Sequence, residues 1–371
     1  MNPLEATVAL NLLPRIGPVR VRRLLDAFGG DAAAALGASE NQLLRVEGIG
    51  PETAKILHRW QDHADPAAEI QKAGARGITI LTQADADYPA ALREAYDAPL
   101  LLYVWGKLEP RDRHAIAVVG SRRATHYGRQ ATKKLTYQLA AAGFTIVSGL
   151  ARGIDTAAHE AALAAPEGRT LAVIGSGLGQ LYPPENLALA QKIADGRGAV
   201  ISEFPIDTAP DKQTFPMRNR IVAALSRALL VAESPEWSGS LITANLASEY
   251  GRPIYAIPGP IDKPTSGGCH KLIRDGATLV TDGSHILDDL GELPFSSAKS
   301  VSADSSATAP TSGLPPEEAM VLAACTSEEQ PVDRIIETTG LPAQTVTATL
   351  MKLEIRGLVR AYPGFRYALR A

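Results

Sequence analysis

Between Ile116 and His159 the chain reads IAVVGSRRATHYGRQATKKLTYQLAAAGFTIVSGLARGIDTAAH. Ile116 to Val119 is a short branched apolar run stopped by Gly120. That pattern suits a strand buried on both faces of a parallel sheet. Gly128 to Ala142 places Leu135, Leu139 and Ala142 on one helical face, and Gly143 follows as a stop. Phe144 to Val147 reads as a second strand. Both strands run into loops of small residues and arginine: Gly120, Ser121, Arg122 and Arg123 after the first, and Ser148 to Gly153 after the second. In an open α/β sheet, ligands bind beyond the carboxyl ends of the strands. Glycine admits an anion to backbone N–H groups, a helix start adds its dipole, and arginine grips two oxygens. Gly149, Arg152 and Gly153 therefore join the first loop as a candidate phosphate cradle.

The alternation continues. Strands are expected at 115–119, 144–148, 170–174, 199–202, 228–232, 253–257 and 278–280, with helices starting near 127, 155, 185, 216, 241 and 269. This is the pattern of a doubly wound, mostly parallel sheet, an extended Rossmann-like α/β fold over about residues 76–290. Gly77 to Leu81 and Leu100 to Val104 are expected to add strands leading into it. Residues 1–70 read as helical. Two stretches in it, Leu12 to Pro18 and Leu44 to Pro51, resemble the turn of a helix-hairpin-helix (SAM-like) module, although Arg15 stands where a glycine is expected. Such hairpins either present N–H groups to DNA phosphate or act as packing joints, and the residues do not choose between them. Residues 291–316 are rich in Ser, Ala, Thr and Pro without a hydrophobic period, as in a flexible linker. Residues 317–371 read as three helices and a hairpin across Pro363, Gly364 and Phe365, the order of a winged helix. Its tail is basic, with Lys352, Arg356, Arg360, Arg366 and Arg370 against Glu354.

A net charge of −3 gives no global signature of nucleic-acid binding, so such a reading must rest on local charge. It exists: between Arg111 and Lys134 there are seven Lys or Arg and one Asp. Two cysteines, Cys269 and Cys325, argue against a disulfide frame. No apolar run reaches the ~18 residues of a membrane span. The opening residues carry no export-signal pattern, so a cytoplasmic protein is expected.

Three further clusters could carry chemistry. Lys212 to Arg220 packs Lys212, Phe215, Arg218, Asn219 and Arg220 around Pro216, expected at the first helical position. Two arginines in a first turn oppose the helix dipole unless an anion is bound, and Phe215 beside them can stack on a base. Ser238, Gly239, Ser240 and Thr243 follow a strand and open a helix, offering donors to an anion; Trp237 beside them is either a stacking residue or a half-buried anchor. Gly175 to Gly179 lacks the dinucleotide spacing and reads as a structural turn. His159 next to Glu160 is either a catalytic pair or a structural histidine, and Asp155 reads as a helix N-cap. No metal-ligand set stands out, since Cys269 and His270 lack two further ligands at a standard spacing. No cofactor is expected.

The segments VVGSR, SGLARGIDTAAH, YPPEN, SEFP, FPMRNRIVAALS, SGSLITANLASEYGR, IPGP and LIRDGA occur in order, and together they resemble the DNA-processing protein A (DprA/Smf) family. The likeness is dense over residues 80–285. It implies a cytoplasmic bacterial protein, not an enzyme, that binds single-stranded DNA during natural transformation, loads the RecA recombinase on it and forms homodimers. By matching motif it implies DNA contacts from Ser121, Arg122, Gly149 to Gly153, Lys212, Phe215, Arg218, Asn219 and Arg220. Arg122, Lys212 and Arg218 are expected in one groove and outside the core. Gly268-Cys269-His270 departs from the Gly-Thr-Asn of the family pattern. The rival is a nucleotide-processing Rossmann enzyme of the phosphoribohydrolase type. It resembles the chain at Ser238 to Thr243, but its catalytic glutamate position is unfilled, with Ala247 after Leu246 and Glu249 late.

Overall fold

The structure, a computed structural model, describes residues 1–291, 316–326, 330–355, 358–362 and 366–369. Most of the expected linker, the Pro363 to Phe365 turn, Arg356, Arg370 and the side chains of Glu354 and Arg360 lie outside the described residues. The chain divides into two compact units, Met1–Ser297 and Ala298–Ala371.

The first unit is built on nine strands: β1 (Ile78–Thr82), β2 (Leu101–Gly106), β3 (Ala115–Val119), β4 (Thr145–Ser148), β5 (Arg169–Val173), β6 (Gly198–Ser202), β7 (Ala228–Val231), β8 (Ile254–Ala256) and β9 (Thr278–Leu279). Their order in the sheet is β1-β2-β6-β5-β4-β3-β7-β8-β9. β6 to β9 are parallel, and β2 and β1 add antiparallel at one edge. The seven expected parallel strands are all present, each within a residue or two of the expected ends. From β3 the chain winds outward through β4, β5 and β6, then returns beyond β3 to β7. The β3–β7 boundary is therefore the switch point at which loops leave in opposite directions.

Strand alternation sends residues to two helical layers. Ile116 and Val118 pack with Leu135, Leu139 and Ile154 of the helices His126–Ala141 and Ile154–Ala164. Ala117 and Val119 face Ile221, Val222, Ala244 and Ala247 of the helices Thr214–Ala224 and Gly239–Glu249. With both faces covered, β3, β4 and β7 are buried throughout, which is why they read as unbroken apolar runs. At the opposite end of the strands, Arg169 is buried and its guanidinium clasps the Asp112 carboxylate at 2.6 and 2.9 Å.

The N-terminal helices form their own cluster around Leu10, Leu24, Leu43 and Leu57. They also join the sheet: Val8 and Ala73 pack with Leu101 and Tyr103 of β2, and Asn11 donates to the Glu203 carbonyl at 3.1 Å. The two hairpin turns lie side by side. Arg15 takes the left-handed φ of 64° in the first and Gly48 one of 85° in the second. Each is bridged by an acid, Arg15 to Glu52 at 2.6 Å and Arg23 to Glu47 at 3.1 Å. Both ion pairs join the first hairpin to the second.

The second unit contains helices Pro316–Ala324, Val332–Thr339 and Ala343–Ile355 and a small antiparallel sheet of β10 (Gln330–Pro331), β11 (Val359–Tyr362) and β12 (Arg366–Leu369) in the order β10-β12-β11. Val321, Ile335, Leu350, Leu353 and Tyr367 form its core. This is a winged helix, as expected from the helix and hairpin order.

Because all nine strands of the large sheet and both of its helical layers precede residue 291, a chain ending at Ser297 is expected to unfold in one cooperative transition by circular dichroism. A gradual, non-cooperative melt of that truncated chain would contradict the division into two units.

Candidate nucleic-acid interface

The loops after β3, β4 and β7, with the segment entering helix Thr214–Ala224, enclose a groove of about 620 Å³ at the switch point. Gly120, Ser121, Arg122 and Arg123 line it from β3, Gly149 from β4, and Ser238, Gly239, Ser240 and Thr243 from the loop and helix after β7. Lys212, Phe215, Arg218 and Asn219 close the remaining side. Thirteen of the sixteen residues singled out from the sequence therefore meet in one place. Arg152 and Gly153 line an adjoining cavity of about 340 Å³, which shares Arg122 and Arg123 with the groove.

Arg220 meets neither. Its guanidinium is buried and grips the Glu203 carboxylate at 2.6 and 3.0 Å, with Asp97 at 3.5 Å. Helix Thr214–Ala224 begins two residues before the expected Pro216, and Arg220 lies among its buried residues with Ile221, Val222, Ala223 and Ala224. Here it anchors the helix that carries Phe215 and Arg218.

Arg218 also differs from expectation. It is 5% exposed and donates to the Val173 carbonyl, so it belongs to the groove floor. Burial lowers its pKa to about 10, the nearby Asp155 charge opposes that, and Arg122 adds to it. It stays protonated at neutral pH, a fixed positive charge beneath the groove. Asp155 is not an N-cap: the cap position of helix Ile154–Ala164 is Gly153. The buried Asp155 carboxylate instead accepts from the N–H groups of Gly149 (3.1 Å) and Ala151 (3.3 Å), folding the loop after β4 back on itself. Burial raises the pKa of this carboxyl, against the pull of Arg218 and the two N–H donors. Asn186 holds the same loop by donating to the Leu150 carbonyl at 2.8 Å.

The loop glycines serve packing first. A Cβ on Gly149 would lie 1.9 Å from the Arg218 guanidinium, one on Gly120 2.7 Å from the Glu233 carbonyl, and one on Gly153 2.3 Å from the Ser121 carbonyl. Gly239 alone of the groove glycines has open space, and it starts helix Gly239–Glu249. The Ser240 hydroxyl is committed within its own loop, donating to Ser234 at 2.9 Å. Lys212, Arg122 and Arg123 are exposed, and the Arg122 guanidinium rests 4.8 Å from the centre of the half-buried Phe215 ring. Trp237 is 93% exposed, which removes the reading of a half-buried anchor.

The remaining sequence candidates are structural. His159 is fully buried with Nδ1 2.7 Å from Thr170 Oγ1. That hydroxyl gives its one proton to the Ile146 carbonyl, so Nδ1 must be the donor and Nε2 carries no proton. Burial, then the Arg218 charge, lowers its pKa to about 3. Glu160 pairs with Lys133 at 2.9 Å. In the turn Gly175 to Gly179, a Cβ on Gly177 would lie 2.0 Å from the Pro205 carbonyl, the mark of a packing turn. Cys269 is buried and His270 Nε2 lies 2.9 Å from the Gly259 carbonyl. No group of three or more metal-ligating side chains occurs among the described residues.

Sequence reasoning missed Tyr182 and Glu233. Tyr182 packs its ring 5.9 Å from that of Phe215, and its place at the head of the YPPEN segment was the available signal. Glu233 accepts Ser121 N–H on its carbonyl at 2.7 Å and the Thr125 hydroxyl on its carboxylate at 2.6 Å, riveting the loop after β7 to the loop after β3.

A doubly wound sheet with a basic groove at its switch point, followed by a winged helix, is an architecture able to hold an extended polyanion. Residues 79–291 match the family model of DNA recombination-mediator protein A, and residues 305–364 match that of the DprA winged helix domain. The chain belongs to this family. It is 35% identical to Protein Smf of Synechocystis sp., over 96% of each chain. It is 41% identical to DNA processing protein DprA of Bacillus subtilis, over 58% of this chain and 73% of that one. Among solved structures, DprA of Streptococcus pneumoniae superposes with a TM-score of 0.69 at 36% identity, covering 78% of this chain and 99% of that one. DprA of Helicobacter pylori, described for its single-stranded DNA binding mode, superposes with a TM-score of 0.52 at 32% identity, covering 57% and 95%.

Two expectations test this geometry. Arg220→Ala strands the Glu203 carboxylate in the core and should destabilise the protein by about 3–5 kcal/mol in urea unfolding, whereas a surface phosphate contact would leave the midpoint unchanged. His159 has a folded pKa below its unfolded value. From pH 6 to 4 the unfolded chain binds the extra proton, and stability should fall by about 1.4 kcal/mol per pH unit from this group. Comparison with His159→Asn isolates the effect, since that variant should lack this part of the slope.

Proposed function

We propose that this chain binds single-stranded DNA in the switch-point groove without strong sequence preference. It acts in the cytoplasm as a homodimeric recombination mediator that loads RecA during natural transformation, and it binds rather than catalyses. One observation carries the reading. The groove of a chain with net charge −3 is lined by Arg122, Arg123, Lys212 and Arg218 against one carboxylate, Asp155, around the ring of Phe215. Cations hold phosphates and an aromatic face takes any unpaired base, a combination that selects single strands and tolerates sequence. The family's description as a recombination mediator and the single-stranded DNA binding ascribed to its Helicobacter pylori member support it.

The nucleotide-processing reading fares worse on geometry. The one acidic residue of helix Gly239–Glu249 is Glu249, in the last turn, and it accepts from the Tyr96 hydroxyl at 3.5 Å rather than facing the groove. Buried, neutral His159 cannot supply the missing base.

The test is equilibrium binding of labelled oligo-dT in rising salt. Arg122→Ala and Lys212→Ala should each weaken binding and flatten the salt slope by roughly 0.7 for one lost phosphate contact, with unchanged melting because both side chains are exposed. Duplex competitor should displace poorly. If Arg360→Ala in the C-terminal unit weakened oligo-dT binding more than the Arg122→Ala, Lys212→Ala double variant, the groove would be the wrong place.

A further inference from the structure

Four side chains form a continuous row along the rim between the groove and the adjoining cavity. The Arg122 guanidinium lies on Phe215, the Phe215 ring packs at 47° on Tyr182, and the Arg152 guanidinium lies 5.7 Å from the Tyr182 ring centre. Arg152 also donates to the Tyr182 hydroxyl at 3.4 Å and is held by an ion pair with Glu185. Tyr182 and Phe215 are half-buried, and both end arginines are exposed. The second cavity is itself basic. Arg122, Arg123, Arg129, Lys133 and Arg152 line it against two acids, Glu160 and Glu185.

We propose that Tyr182 is a second base-stacking residue, and that the single strand crosses the rim from the groove into the second cavity over the Phe215–Tyr182 pair. The inference rests on the single-stranded DNA reading of the groove. Phosphate held by Arg122 and Arg123, which line both spaces, lies at the crossing. The next phosphate falls to Arg152, where it must compete with Glu185 for the guanidinium. Two rings tilted against each other suit two splayed bases, which a duplex cannot offer. Glu185 is then a built-in restraint: an acid occupies the cation until a strand long enough to cross displaces it.

The experiment uses the full chain and oligo-dT carrying one abasic site at each position in turn. Wild type should show two neighbouring positions at which removing the base weakens binding, each by roughly tenfold. Tyr182→Leu, which fills the same space without a ring, should lose one of the two and weaken intact oligo-dT by a similar factor with an unchanged salt slope. Tyr182→Phe should restore both. Glu185→Gln, on the exposed surface, should tighten binding and steepen the salt slope as Arg152 becomes available to phosphate. The proposal is overturned if Tyr182→Leu retains the wild-type abasic profile, or if Glu185→Gln leaves affinity and slope unchanged. The Arg122→Ala, Lys212→Ala double variant separates the failures. If it binds like wild type, the groove itself is misread; if it fails to bind while the Tyr182 and Glu185 variants behave as wild type, only the crossing is wrong.

Discussion

The groove rests on a buried cation. Arg218 lies under the loops after β4 and β5, where burial alone would favour losing its proton, and Asp155 offsets that cost from the start of the neighbouring helix. Several features of the surrounding chain answer to it. Gly149 has no side chain because the guanidinium occupies that space. Asp155 is drawn into the loop to gather two N–H donors as well as to face the charge. His159 is kept neutral by burial and by the same guanidinium. A charge fixed in this way is preorganised, unlike the exposed Lys212 and Arg122 above it.

Arg218 is buried below, and the other cations are exposed above. The loops after β3 and β7 leave the switch point in opposite directions and would splay if unlinked. Glu233 joins them through both its carbonyl and its carboxylate. Gly128 lacks a Cβ that would otherwise sit 2.0 Å from that carboxylate. Two acids, Asp155 and Glu233, are thus consumed in shaping loops and do not oppose a polyanion as free surface charges would. The exposed cations Arg122, Arg123 and Lys212 are left above these buried acids.

The sheet was legible in the sequence because a strand buried on both faces has only one pattern available, a short apolar run ended by small residues. Seven runs are expected and seven parallel strands answer them; β3 to β7 are buried throughout, whereas β8 is partly buried and the edge strand β9 exposed. The site was legible as a set of loops for the same reason, since the fold places strand ends on one edge. What periodicity could not tell apart were Arg218, Arg220 and Lys212, which are near neighbours in sequence. Their fates depend on which partners the buried face of helix Thr214–Ala224 meets. Arg220 meets the Glu203 carboxylate and Arg218 meets the Val173 carbonyl and the Asp155 charge beneath the groove, whereas Lys212 precedes the helix and is exposed. The partners that decide this, Glu203 and Asp155, are 17 and 63 residues away in the chain, beyond any local rule. Tyr182 escaped notice because its place comes from packing on Phe215, a contact between a loop and the first turn of a helix 33 residues on that no spacing reports.

The departure at Gly268-Cys269-His270 shows how the same constraint filters change. Gly268 donates its N–H to the Ser234 carbonyl at 2.7 Å, and a Cβ there would lie 2.6 Å from the Pro235 carbonyl. This residue fixes the loop after β7 from below, as Glu233 does from the front, and a glycine is retained. Cys269 faces the core, its thiol 3.7 Å from the Val231 carbonyl and its pKa raised by burial to about 12, so it behaves as a small apolar residue. His270 turns away from the groove to the Gly259 carbonyl. Neither side chain lines the switch-point groove. Cys269 faces the core and His270 the Gly259 carbonyl, while Gly268 before them is held by the backbone it touches.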